Sequence, residues 1–122
     1  MKILGVGIDI VDKMQVAKLI KKDVFGHFLK KWFTTEEREY LLKSKNIVNE
    51  FSIIFSIKES FIKASSGNIT LKDMKNINVS KFNYKYKISY TKDEKFSLDK
   101  YYMITNSAIK SLVISSVVIL EK

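Results

Sequence analysis

Three side chains carry the chemistry open to this sequence: Asp9, Glu59 and Lys63. Asp9 lies near the end of an apolar run, "ILGVGIDIV", and aspartate is unfavourable in strands, so it calls for a specific partner. Glu59 and Lys63 stand in "FSIKESFIKA", Phe55 to Ala64, a helix-forming stretch in a strongly apolar neighbourhood. Their spacing of four puts both on one helix face. Each has an ordinary reading. Asp9 serves as a turn or helix-start residue, and Glu59–Lys63 is a surface pair worth roughly 0.2–0.5 kcal/mol. Together they admit a sharper one. Two carboxylates with few other ligands suit Mg²⁺, which commonly takes one or two carboxylates, waters and substrate phosphate oxygens. A neighbouring lysine suits phosphate as a point charge. The chemistry implied is transfer involving a phosphate or pyrophosphate ester.

Bringing Asp9 to Glu59 requires a strand and a long helix to cross closely. "MKILGVGIDIV" reads as a buried strand, short and rich in β-branched residues. Alternation places Ile3, Gly5, Gly7, Asp9 and Val11 on one face, and Leu4, Val6, Ile8 and Ile10 on the other. The first face is nearly bare, and glycine within a strand marks close approach by another backbone or a ligand. A helix follows from Asp12, its N-cap, to about Lys22, with Val16, Leu19 and Ile20 facing inward. Asp23 to Phe33 reads as a short helical piece or turn burying Phe25, Phe28, Trp32 and Phe33. "TTEE" offers a capping box, Thr34 with Glu37, opening a helix to about Lys43. The central helix is expected from about Asn46 to Ser66, ending near Gly67. Beyond it the period falls to two. "NINVS", "YKYKISY", "YYMITN" and "SLVISSVVILE" read as strands, with Asn106 to Lys110 as the last turn. This order predicts an α+β domain over residues 1–122, with helices on one face of a mostly antiparallel sheet.

Composition narrows the partners. The 122 residues carry 22 basic and 13 acidic side chains, a net charge of +9, which favours an anionic partner. There is no cysteine and one histidine, His27, so thiolate and multi-histidine metal sites are excluded. No apolar run reaches the roughly 18 residues of a membrane span. "MKILGVGIDIVD" is too short and too glycine-punctuated for a secretory signal, so a cytoplasmic protein without a membrane partner is expected.

"GIDIVD", Gly7 to Asp12, followed about fifty residues on by "FSIKESFIKA", resembles the two signatures of the 4′-phosphopantetheinyl transferases, and the length resembles their holo-acyl-carrier-protein synthase branch. The resemblance spans nearly the whole chain in order. It implies a small α+β protomer that forms a homotrimer with sites at subunit interfaces, coenzyme A as donor, and the serine of an acidic acyl-carrier protein as acceptor. It implies Asp9 and Glu59 as Mg²⁺ ligands on the coenzyme A pyrophosphate, Glu59 as acceptor of the serine proton, and Lys63 on the phosphate of the departing adenosine 3′,5′-bisphosphate. Lys45, Lys58, Gly67 and Asn106 join Lys63 as coenzyme A contacts. The sequence also departs from the family. Ile54 stands where arginine is usual, Thr105-Asn106 replaces a Ser-His pair, and "KFNYKYKI" replaces a Gly-Lys-Pro segment. Lys43, Lys45 or Lys58 is expected to compensate.

The basic first helix, with Lys13, Lys18, Lys21 and Lys22 beside Met14, Ala17 and Phe25, is expected to dock the acidic carrier. A different class of function, a small nucleic-acid-binding module using lysines and the Tyr84–Lys87 alternation, leaves Asp9 and Glu59 unexplained and lacks any RNP1, zinc-finger or GXXG signature. A carrier-binding relative without catalysis is the third alternative. No nucleic-acid partner is expected on the leading reading.

Overall fold

The computed structural model describes residues 1–92 and 99–122. β1 (Lys2–Asp12) leads into α1 (Lys13–Ile20), α2 (Phe25–Trp32), α3 (Thr35–Lys43) and α4 (Ile47–Ala64), and a 3₁₀ turn (Leu71–Asn76) precedes β2 (Ile77–Phe82), β3 (Lys85–Tyr90), β4 (Lys100–Ala108) and β5 (Leu112–Glu121). The helix boundaries follow local chemistry. The Asp12 carboxylate accepts from the Met14 N–H at the start of α1. Thr34 and Glu37 close the expected capping box on α3. Left-handed backbone at Ser66 and Gly67 turns the chain away from the end of α4.

The strands form two antiparallel sheets, one ordered β1-β5-β4 and the other the β2–β3 hairpin. The α+β class holds, with α4 laid across one face of the larger sheet. That helix is enclosed by other elements over most of its surface, burying Ser52, Ser56, Lys58 and Ser60 beside its apolar residues. Phe51, Ile53, Ile57 and Phe61 are among its core residues, against Val113, Val117 and Ile119 of β5. Ile54, at the position where the family usually has arginine, is also fully enclosed.

Gly5 and Gly7 set the distance between α4 and β1. A Cβ on Gly5 would lie 1.8 Å from the Ala64 carbonyl oxygen, and one on Gly7 would lie 1.9 Å from that of Ser60. The bare strand face therefore meets helix backbone, as expected. Two expectations need correction. Ile3 does not share that face, because a register shift between Ile3 and Gly5 breaks the alternation and leaves Ile3 exposed with Val6, Ile8 and Ile10. Nor is Asn106 in a turn. β4 runs on to Ala108, Asn106 pairs with Ser115, and the tight turn closes only through the Ile109 N–H on the Leu112 carbonyl.

Candidate active site

Asp9 lies in β1 directly opposite Ser115 of β5, on the side covered by α4. Ser115 Oγ sits 2.5 Å from Ser56 Oγ, and the Ser60 hydroxyl donates to the Ser115 carbonyl at 3.2 Å. These small polar contacts hold α4 over the strand pair without side chains large enough to push it away. Lys63, the penultimate residue of α4, donates to the Asp9 carboxylate at 2.9 Å and to the Ile8 carbonyl at 3.1 Å. Its own side chain stays half exposed, whereas the Asp9 side chain is largely covered.

Glu59 shares a cleft of about 570 Å³ with Asp9. Burial raises the Glu59 carboxyl above its ordinary 4.5, the charge of Asp9 raises it further, and Lys63 opposes both. Two partly desolvated carboxylates that repel each other, with an ammonium already drawn to one, make a donor set for a hard cation. Among the described residues no group of three or more acidic or histidine side chains is available for a metal. An ion held here would therefore take its remaining ligands from water and substrate, as Mg²⁺ commonly does with phosphates.

The remaining candidates do not all gather here. Lys58 requires correction. Its side chain is 0% exposed, and its ammonium lies 2.6 Å from the equally enclosed Glu37 carboxylate and 4.9 Å from the centre of the Phe33 ring. A cation committed to that partner inside the protein does not reach a coenzyme phosphate. Lys45 lies exposed before the opposite end of α4, about 20 Å along the helix from Glu59 at 1.5 Å per residue. Asn106 lines a different cleft, with Tyr84, Lys85, Tyr86, Tyr102 and Thr105. Within one chain, then, neither Lys45 nor Asn106 joins Asp9. Gly67 lies just beyond α4 with φ of +91° and open space around it.

Other residues enter the Asp9–Glu59 cleft from α1 and the turn after it. Gln15 and Lys18 of α1 and Lys22 of that turn line it beside Asp12, against an apolar wall that includes Phe28, Phe51 and Phe55. Their spacing of four would put Lys18 and Lys22 on one face of a helix running to Lys22, but α1 ends at Ile20 and Lys22 reaches the cleft from beyond it. Phe25, expected on the carrier-docking surface, is instead in the core, its ring tilted against Phe51 with centroids 5.7 Å apart.

Residues 5–115 match the family model of the 4′-phosphopantetheinyl transferase superfamily. Over 102 residues the chain is 35% identical to the holo-[acyl-carrier-protein] synthase of Leptospira biflexa serovar Patoc, covering 80% of this chain and 78% of that one. The chain belongs to this superfamily. A second relative, the holo-[acyl-carrier-protein] synthase of Pelagibacter ubique, is 38% identical over 85 residues, and the match covers 64% of this chain and 62% of that relative. The superfamily fold is equally plain in solved structures. The holo-[acyl-carrier-protein] synthase of Neisseria meningitidis superposes with a TM-score of 0.83 at 24% identity, covering 98% of this chain and all of that one. The Bacillus anthracis holo-(acyl-carrier-protein) synthase in complex with CoA (3′,5′-ADP) gives 0.79 at 21% identity, with 98% of each chain covered.

Proposed function

We propose that this member of the superfamily transfers the 4′-phosphopantetheine group of coenzyme A to a serine of an acidic apo-acyl-carrier protein, with Mg²⁺, releasing adenosine 3′,5′-bisphosphate. The observation that carries this reading is that Asp9 of β1 and Glu59 of α4 line one cleft while Lys63 of α4 pairs with the Asp9 carboxylate. The names of the curated relatives support the acceptor class, and the CoA complex of the Bacillus anthracis protein supports the donor class.

Asp9 and Glu59 would hold Mg²⁺, which would supply charge neutralisation on the coenzyme A pyrophosphate when bound. The serine oxygen forms a bond to the phosphorus bearing pantetheine, and the bond from that phosphorus to the bridging oxygen breaks. Glu59 takes the serine proton, a task favoured by its raised carboxyl. Lys63 is long enough to exchange Asp9 for the departing phosphate, where negative charge grows toward the transition state. Lys18 and Lys22 at the cleft rim add positive charge for the same anion. The work is positioning and charge stabilisation rather than covalent catalysis.

The reading extends to assembly. The cleft of Tyr84, Lys85, Tyr86, Thr105 and Asn106 combines aromatic faces, a cation, a hydroxyl and an amide suited to an adenine nucleotide. In a homotrimer, one subunit would offer this cleft to the Asp9–Glu59 site of the next. Incubation with apo-carrier protein, coenzyme A and Mg²⁺ should raise the carrier mass by about 340 Da, the phosphopantetheine increment. Complex formation without mass gain would identify a non-catalytic carrier binder and reject the transferase reading.

A further inference from the structure

Glu37 and Lys58 form the one ion pair among the described residues with both side chains fully enclosed. The other pairs each keep one member substantially exposed, as in Lys63–Asp9 and Lys92–Asp73. Glu37 is unusually committed. One carboxylate oxygen accepts from the Thr34 N–H at 2.9 Å and from Lys58 at 2.6 Å, and the other accepts from the Val79 N–H at 2.7 Å. A single carboxylate thus joins the start of α3, strand β2 and the middle of α4. Burial pushes the Glu37 carboxyl up and the Lys58 ammonium down, while each partner's charge opposes that shift.

Stability alone is a weak reason for such a pair, because well-packed apolar side chains of similar volume often serve as well or better. What an ion pair adds is one geometry. Lys58 immediately precedes Glu59, so the two side chains leave α4 about 100° apart. On the β1 side, α4 rests on glycine through Ser60 and Ala64, a smooth contact that fixes distance. The hydrogen bonds of Ser56 and Ser60 to Ser115 hold that side, and Lys58–Glu37 holds the other. A roll of about 20° would carry a carboxylate about 5–6 Å from the helix axis through about 2 Å. Misplacement of about 1 Å can lower a rate about a hundredfold.

We propose that Lys58 and Glu37 are positioning residues: their enclosed pair fixes the rotation of α4 and so aims Glu59 at Asp9. The proposal rests on the transferase reading for its activity measurements but not for its metal-binding one. Two variants test it, Lys58→Met combined with Glu37→Gln, and Glu37→Asp. The first removes both charges while keeping an acceptor for the backbone; the second keeps both charges and shortens the reach. At a temperature well below melting, kcat should fall by at least about tenfold in each, with KM for coenzyme A held within about twofold. Mn²⁺ affinity without coenzyme A, read from the paramagnetic resonance of the free ion, should fall by about fivefold or more. Wild-type kcat and Mn²⁺ affinity in either folded variant would overturn the proposal. Failure of both variants to fold would assign the pair to stability alone and overturn it too. Wild-type protein that neither binds Mn²⁺ nor modifies a carrier would instead strike the transferase reading itself.

Discussion

Burial and the charge of Asp9 hold the Glu59 carboxyl above 4.5, and Lys63 offsets them only in part. A carboxyl raised on folding binds more protons in the folded state than in the unfolded one through the window between the two values. Stability therefore falls as pH rises from about 4.5 through the folded value, and ionised Glu59 destabilises the fold at neutral pH. Glu59→Gln should melt higher than wild type at pH 7, with the difference shrinking toward pH 4, while transfer is lost. Melting curves at several pH values check the first part and carrier mass the second; a lower melting point at pH 7 would contradict this assignment of strain. Asp9→Asn should raise the Mg²⁺ concentration needed for half-maximal transfer, whereas a simple surface pair predicts near-normal kinetics. These three residues were legible because each breaks a pattern: an acid in a strand, and charges in an apolar helix. Lys58 was misread for a physical reason. Sequence shows which face of a helix a lysine occupies but not what lies against it, and Glu37, 21 positions away, was visible only as a cap.

At the scale of elements, the glycines of β1 were read correctly as a site of close approach, since only the missing Cβ lets α4 backbone meet the strand. Gly7→Ala would place a methyl 1.9 Å from the Ser60 carbonyl oxygen and 2.8 Å from the Ala64 amide nitrogen, both helix backbone atoms that cannot yield separately. Denaturant unfolding should show a loss of about 3 kcal/mol, the upper end for overpacking. Displacement of α4 should also weaken transfer beyond the loss of folded protein. Gly26 provides the control, because a Cβ there meets nothing within 4 Å and the residue lies in α2. Gly26→Ala should stabilise by about 0.5–1 kcal/mol, and equal losses at the two glycines would undo the close-approach argument. The turn residues were less legible. Asn, Ser and Ala near 106–108 suggest a turn, but pairing with Val113, Ile114 and Ser115 carries the strand past them. Cross-strand register outweighs local propensity there.

At the scale of the whole molecule, two features are left unsatisfied by one chain. The face of the larger sheet opposite α4 exposes Val6, Ile8 and Ile10 of β1, Met103 of β4 and Ile114 of β5. A contiguous apolar surface of that kind marks an interaction site, and on our reading other copies of the chain cover it. The carrier should then approach α1 at its C-terminal end, where the capping residue Lys21 is exposed but does not line the Asp9–Glu59 cleft as Lys18 and Lys22 do. Lys21→Glu should raise KM for the carrier and flatten its salt dependence without changing KM for coenzyme A. The second unsatisfied feature is chemical: Asp9 and Glu59 line one cleft and Asn106 with Lys85 another. If neighbouring copies join these clefts, two inactive variants can repair each other. Glu59→Gln spoils the first half-site, and Lys85→Glu with Asn106→Asp introduces charge repulsion toward phosphate in the second. Each protein alone should be nearly inactive. Unfolded and refolded together in equal amounts, they should place an intact half-site from one chain against an intact half-site from the other in roughly a quarter of all sites, by random assortment in a cyclic assembly. Activity should therefore return to about a quarter of wild type, while mixing without refolding restores little if subunits exchange slowly. Light scattering of the wild-type protein should give three times the chain mass. An active monomer, or refolded mixtures as inactive as their components, would confine the site to a single chain.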